Sequence, residues 1–473
     1  DHGGKLYYSY DSRGNLLTVK HGLNILMSHT YNQWGIKTTT YDISAGVTSY
    51  TYDAFGRLKS EKDANGHTQS FKYNELGLLT ERTNPDGTTY YAYNGAGGGQ
   101  ANQLSFVTTY NGMDEFYDYD QLGRLIEKYK YIDGNSYSTY YTYNANDQLV
   151  RKAYSNGFFV DYEYDNGYLQ KVLPAGASQG QANLFEAQAI NGRGQYTQYT
   201  LLNGITTDNY YDQGYLLYTS SPGVQDLAMG YDYSTGNLDY REDYLKSIWE
   251  EFGYDNLNRL TQSTVHDYGR SIDYPVIITT YDAGAIGTSR GTIVNKTDIG
   301  SFQTQTSGRT YSSKNERVEI SPQTQDISYT SFRKTQSVKE IDHASGLEYE
   351  QVFTYDAGYD RVKTEIYENG SLIGIRHYLD DYEVNIDPTT YIPTYIHYIG
   401  GGDGLCAIAE VQNQYTPSAN NATYHVIYKD HLGSIVAATD GWGTLEAEQN
   451  FDAWGREGGP LTYLGLMVSG FPN

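Results

Sequence analysis

The 473-residue chain carries 33 Lys and Arg against 57 Asp and Glu, a formal charge of -24, with a mean hydropathy of -0.64. A field of that sign repels phosphate backbones and anionic lipid, so nucleic acid is not an expected partner, and no apolar run approaches the ~18 residues that a membrane-spanning helix needs. One cysteine, Cys406, excludes an internal disulfide framework and a multi-cysteine zinc site, while 53 Tyr and 51 Gly beside 10 Pro predict many half-buried strands joined by many tight turns.

The expected class is all-β, and a repeat appears at once. Tyr10, Tyr31, Tyr52, Tyr73 and Tyr93 recur at intervals of 21, 21, 21 and 20, each followed by Asp or Asn. The fuller unit is aromatic-x-Tyr-Asp/Asn-x-x-Gly-x-Leu, as in Tyr50 to Leu58 and Phe71 to Leu79. Two residues of separation put both aromatics on one strand face. The Asp or Asn can hydrogen-bond backbone two residues on, and the Gly accepts left-handed geometry, so Tyr52, Asp53, Gly56 and Arg57 form one predicted turn. A second turn such as Asp63 to Gly66, or Asn84 to Gly87, returns the chain. One period therefore holds two short strands and two turns, and such hairpins need to pair edge to edge to be stable.

Farther along, Tyr119, Asp120, Gly123 and Arg124 repeat the unit, followed by Tyr143 and Tyr164. A disturbed stretch of 47 residues intervenes before Tyr211, Tyr233 and Tyr254 resume the spacing, the last with Asp255 and Arg259. The Tyr-Asp-x-x-Gly-Arg-Leu unit at this period resembles the YD or RHS repeat of bacterial polymorphic toxins, insecticidal toxin complexes and animal teneurins. The resemblance covers roughly residues 1–265. It implies hairpin repeats that coil into a large hollow, cocoon-like β-shell.

Residues 271–345 lose the strict period through polar stretches such as Ser301 to Thr306, although Ile327 to Phe332 still alternates like a strand. Phe353 to Val362 reads as a degenerate unit and Ile375 to Leu379 as the start of another. Near the C-terminal end, Asp430, His431, Leu432, Gly433 and Ser434 precede Asp452, Trp454, Gly455 and Arg456. This pair resembles the signature that closes RHS arrays. The expected organisation is a YD-repeat array over 1–270, degenerate repeats and the closing region over 271–456, and the start of a core-associated segment over 457–473. The chain lacks an initiator Met and a leader, and so reads as a fragment or a processed product.

No catalytic, cofactor or metal residue is expected. His425, Asp430 and His431 are close in sequence, but a strand separates the two histidines by ~20 Å at ~3.3 Å per residue unless the chain bends. Gly400 to Gly404 and Gly95 to Gly99 lack the Lys-Ser/Thr of a phosphate loop and read as hairpin loops. Ser434 lies outside any Gly-x-Ser-x-Gly elbow. Asp380 and Asp381 lack a calcium-loop series and read as turn residues. Arg57, Arg124, Arg259 and Arg456 are expected to cross to a carboxylate or carbonyl of the next hairpin rather than to an anionic partner. Asn295-Lys296-Thr297 and Asn421-Ala422-Thr423 are formal glycosylation sequons that carry little meaning in a bacterial protein.

The resemblance implies a structural shell of a secreted or surface protein that encloses a C-terminal effector lying beyond this chain. Its implied partners are that effector, a secretion or delivery machinery, and an immunity or surface protein. In the family, autoproteolysis uses carboxylates of the core-associated segment, which this chain does not reach, so no enzyme activity is expected here. The alternative is a cell-surface adhesin that binds glycan or protein through its aromatic residues.

Overall fold

The computed structural model describes residues 5–43, 45–95, 101–176, 182–255, 258–274, 276–281, 293–296, 300–301, 315–320, 323–342, 344–412, 422–451 and 453. Asp452, Trp454, Gly455 and Arg456 of the closing signature lie outside these residues, as do 96–99, 302–306, Thr297, Asn421 and 457–473.

Runs of Tyr, Thr, Ser and Val between turn residues form strands of mostly five to nine residues, beginning Leu6–Tyr10, Leu16–His21, Asn24–Tyr31 and Lys37–Asp42. These pair antiparallel each with the strand before it, and the meander continues along the chain, with Ile277–Tyr281 pairing back to Leu260–Asp267. Among the described residues the meander makes two ribbons, one of 28 strands from Leu6–Tyr10 to Gly300–Ser301 and one of 12 from Asn315–Ile320 to Leu445–Glu448. Successive turns alternate between the two edges of the ribbon, and the motif turns lie on one edge with the return turns on the other. The ribbon thus has a motif edge and a return edge.

The second ribbon runs beside the first in the same order. Gln69 and Asn84 bond Tyr359, Tyr137 bonds His377, Asn203 bonds Tyr428 and Lys246 bonds Asn450. These partners are separated by between 290 and 204 residues, with the wider separations toward the N-terminal end. The chain therefore coils back alongside itself. The partners on the first ribbon lie at or near its return edge and those on the second at or near its motif edge, so one edge is laid against the other.

The main apolar core fills this contact. Met113, Tyr154, Phe158, Val172, Leu184, Phe185 and Leu201 of the first ribbon pack with Val362, Tyr382, Val384, Ile399, Cys406, Val426 and Ala437 of the second. A single twisted ribbon cannot bury both of its faces, and the overlap of turns supplies the missing cover.

Three expectations need correction. Ile327 to Phe332 is not one strand: the strand ends at Tyr329, and Thr330 N–H bonds the Lys334 carbonyl to start a motif turn with Arg333 in left-handed geometry, φ 66°. The motif tyrosine after Tyr211 is Tyr231, not Tyr233, because Asp232 is the turn acceptor, taking the Ser234 N–H, while Tyr233 lies within the turn. The strand Ser371–Leu379 opens no motif turn. It ends in the two-residue turn Asp380-Asp381 between the paired Leu379 and Tyr382.

Candidate functional site

The motif turn is the first structural unit. Asp53 Oδ1 accepts the N–H groups of Phe55 and Arg57, both at 2.9 Å, while Asp53 N–H bonds the Arg57 carbonyl and Gly56 N–H bonds the Asp53 carbonyl. Gly56 stands at φ +80°, the left-handed conformation this loop requires. Asp120 and Gly123 build the same turn, and Asp255 with Asn258 a third. The Arg124 N–H and guanidinium hold Asp120 below the usual carboxylate range.

The arginines work within this frame. Arg57 Nε lies 2.6 Å from Asp53 of its own turn, while Nη1 donates to the carbonyl of Asn74 in the next and the guanidinium covers the Tyr73 ring at 4.9 Å. Arg124 likewise joins Asp120, the Asn144 carbonyl and Asp147. Arg259 pairs with Asp255 at 2.7 Å.

A recurring tyrosine latch ties one hairpin to the one before. Tyr52 donates its hydroxyl to the Lys37 carbonyl, Tyr73 to Leu58, Tyr119 to Leu104 and Tyr254 to Leu238, at 2.7–3.0 Å. The ring is partly buried and its one polar atom satisfied, which explains Tyr over Phe at this position.

The seam between ribbons is the second unit, and charged and polar side chains join its apolar core. Lys130 Nζ lies 3.0 Å from Glu115, 3.5 Å from Asp356 and 3.7 Å from Asp380, and all but Asp380 are more than nine-tenths buried. Burial pushes Asp356 up from the usual carboxylate range despite Lys130. The same groups, with Tyr117, Arg361 and Tyr378, line a cavity of about 540 Å³. Asp381 receives Lys152 Nζ at 2.6 Å and the Tyr154 hydroxyl at 2.7 Å. Among the described residues, no group of three or more His, Cys, Asp or Glu is arranged to hold a metal ion.

Residues 3–110 match the Teneurin YD-shell family model. The fold matches a TcdB2–TccC3 crystal structure with a TM-score of 0.77 at 15% identity, over 98% of this chain and 28% of that one. It matches a Photorhabdus luminescens Tc holotoxin pore with a TM-score of 0.76 at 15% identity, over 96% and 26%. Residues 3–110 thus carry a repeat similar to the teneurin YD shell, and the fold is similar to that of these toxin-complex structures. The chain spans about a quarter of the length of these solved chains. No curated protein matches its sequence.

In this fold the DHLGS part of the closing signature is a motif turn of the second ribbon. Asp430 Oδ1 accepts the N–H groups of Leu432 and Ser434, Gly433 stands at φ +86°, and Leu432 is exposed. His431 reaches the seam, where it lines a pocket with Arg241, Lys246 and Glu250 of the first ribbon. His425 goes elsewhere and meets Glu446 at 2.6 Å. Asp380 and Asp381 turn a hairpin and also hold the seam. Gly401 and Gly402 are present because Phe185 and Tyr196 lie against them: a Cβ at Gly402 would come within 2.2 Å of the Tyr196 ring.

Sequence reasoning missed the seam and one whole unit. The disturbed stretch contains a motif turn in which Asn191 Oδ1 accepts Arg193 and Gln195 N–H groups, Gly194 takes φ +80°, and Ile190 replaces the tyrosine. Asn191-Gly192-Arg193-Gly194 was a readable turn signal. Ile190 interrupts the tyrosine spacing.

Proposed function

We propose that this chain is a wall segment of a secreted or surface shell that encloses a polypeptide cargo, the C-terminal effector of the same protein. The observation that carries the reading is the apolar and ion-paired contact between motif edge and return edge, which seals one turn of ribbon to the next. A ribbon sealed along its length excludes protease and solvent from whatever lies within it. The motif residues Tyr52, Asp53, Gly56, Arg57 and their counterparts then serve construction, and the closing signature serves the last turn. Limited proteolysis of the full-length protein is expected to leave a stable core spanning these ribbons, with the downstream domain protected until the shell is denatured. Rapid release of an intact, folded downstream domain would overturn the proposal.

An adhesive role has one observation in its favour. Phe106, Phe116 and Tyr129 form a ring ladder across three strands with centroids 4.6 and 5.4 Å apart, beside exposed Tyr90, Tyr131 and Tyr140. Aromatic faces of this kind stack on sugar rings. Glycan-array binding lost on Phe116→Ala would favour this reading, and no binding above background would remove it.

A further inference from the structure

Within a ribbon, neighbouring strands are joined by backbone ladders that do not titrate. Between ribbons the contacts are made by side chains, and three histidines of the second ribbon, His377, His397 and His431, face the first. His377 and His397 are fully buried.

The surroundings of His397 fix its protonation state. Asn156 Oδ1 accepts the Phe158 N–H at 3.1 Å, which orients the amide so that its Nδ2 points to His397 Nε2 at 3.0 Å. An amide N–H can only donate, so Nε2 must be the bare, accepting nitrogen. Nδ1 has no hydrogen-bond partner. The ring lies against Tyr154 and Phe158 of the first ribbon, each 4.4 Å away, and against Tyr382 and Tyr395 of its own. Tyr382 and Ala409 sit opposite it on the flanking strands. The charge that acts on it is Lys152, whose ammonium Asp381 holds, and among the described residues His397 forms no ion pair.

His377 is less isolated. Its Nδ1 meets the Tyr137 hydroxyl at 2.8 Å and its Nε2 stands 3.7 Å from Asp133, whose carboxylate is held at 2.9 Å by Lys363 on the adjoining strand. Val384 faces it from the other side. His431 lines the seam pocket together with Asp430 and Arg241.

We propose that the seam is an acid-operated closure: protonation at His397 and His377 parts the two ribbons while the ladder within each ribbon stays paired. A proton on His397 Nε2 sets donor against donor at Asn156 and leaves a cation among aromatic rings without an anion. Moving the ribbons apart hydrates both rings at once, and no strand pair need break.

Burial lowers His377 to about 4 and His397 to about 3, so the closed seam is neutral at these positions. The open form binds protons from the ordinary histidine range near 6.5 downward and the closed form does not. Closure is therefore fully favoured above that range and is lost as the pH falls from about 6.5 toward 4.

The test is thiol reactivity and amide hydrogen exchange on the intact protein between about pH 7.5 and pH 4, the exchange expressed as protection factors. Cys406, buried in the core between the ribbons, is expected to become reactive toward 4,4′-dithiodipyridine with a midpoint in that window, while ladder peptides over 46–62 and 397–404 keep their protection. His397→Gln is expected to move the midpoint down by about half a pH unit or more, and His425→Gln to leave it unchanged. Thiol exposure together with loss of ladder protection, or an unmoved midpoint in His397→Gln, would overturn the proposal. Should His397→Gln not fold, His377→Gln and the order of thiol exposure and ladder exchange in the natural protein decide the same question.

Discussion

Replacing Lys130 with Met keeps the apolar stem of the side chain and removes only the ammonium. Lys130, Glu115 and Asp356 are 8, 7 and 9% exposed at their side chains, and the lysine is the cation shared by both carboxylates and by Asp380. Removing one member of a buried ionic group leaves uncompensated charge, which costs about 3–5 kcal/mol. The sign of its pH dependence follows. Without the ammonium Asp356, already raised by burial, binds a proton more readily, so the deficit is largest near neutral pH and shrinks on acidification. Urea unfolding followed by tryptophan fluorescence, at about pH 7.5 and pH 5 for the natural protein and Lys130→Met, measures both quantities. A deficit below about 1 kcal/mol at the higher pH, or one that grows at the lower, refutes the reasoning. The double variant Lys130→Met, Glu115→Gln is expected to recover part of the loss.

Tyr73→Phe deletes the hydroxyl that the Leu58 carbonyl accepts and is expected to cost about 1–2 kcal/mol in urea unfolding, whereas Tyr7→Phe at an exposed position costs nothing measurable. Gly402→Ala drives a Cβ into the Tyr196 ring and is expected to lower Tm by more than Gly433→Ala, which meets no atom within 4 Å and carries only the left-handed backbone cost of about 1–2 kcal/mol. Equal shifts in Tm would contradict the packing at Gly402. Burial pushes the Cys406 thiol up to about 12, so Ellman's reagent at about pH 8 is expected to titrate no thiol in the folded protein and one after denaturation. Fast reaction in the folded state would show that the core around Cys406 is open.

Local chemistry was legible in the sequence because the repeat writes it out each time. Asp53, Gly56 and Arg57 are within four residues of one another, and the turn they form depends on nothing farther away. The tyrosine latch was half legible: the spacing marks Tyr73, but its acceptor is a backbone carbonyl that any residue supplies. Ile190 hid a unit because the backbone turn of Asn191 and Gly194 survives loss of the tyrosine. The seam was illegible for a different reason. Lys246 and Glu448, or Asn156 and His397, meet only because a ribbon of particular twist returns beside itself after some 200 residues, and no local pattern encodes that distance. Asp380 and Asp381 show the consequence, since they read as turn residues and serve the seam as well.

Zero-length carbodiimide cross-linking with peptide mass spectrometry bears most directly on the coiling. Lys246 and Glu448 lie 2.6 Å apart, Lys152 and Asp381 2.6 Å, and Lys128 and Asp380 2.7 Å, each pair joining the first ribbon to the second. The coiled ribbon predicts all three cross-links in the monomeric protein. Recovery of Lys72 to Glu81 and Lys171 to Glu186, which are local to one hairpin, without any of the three would contradict it.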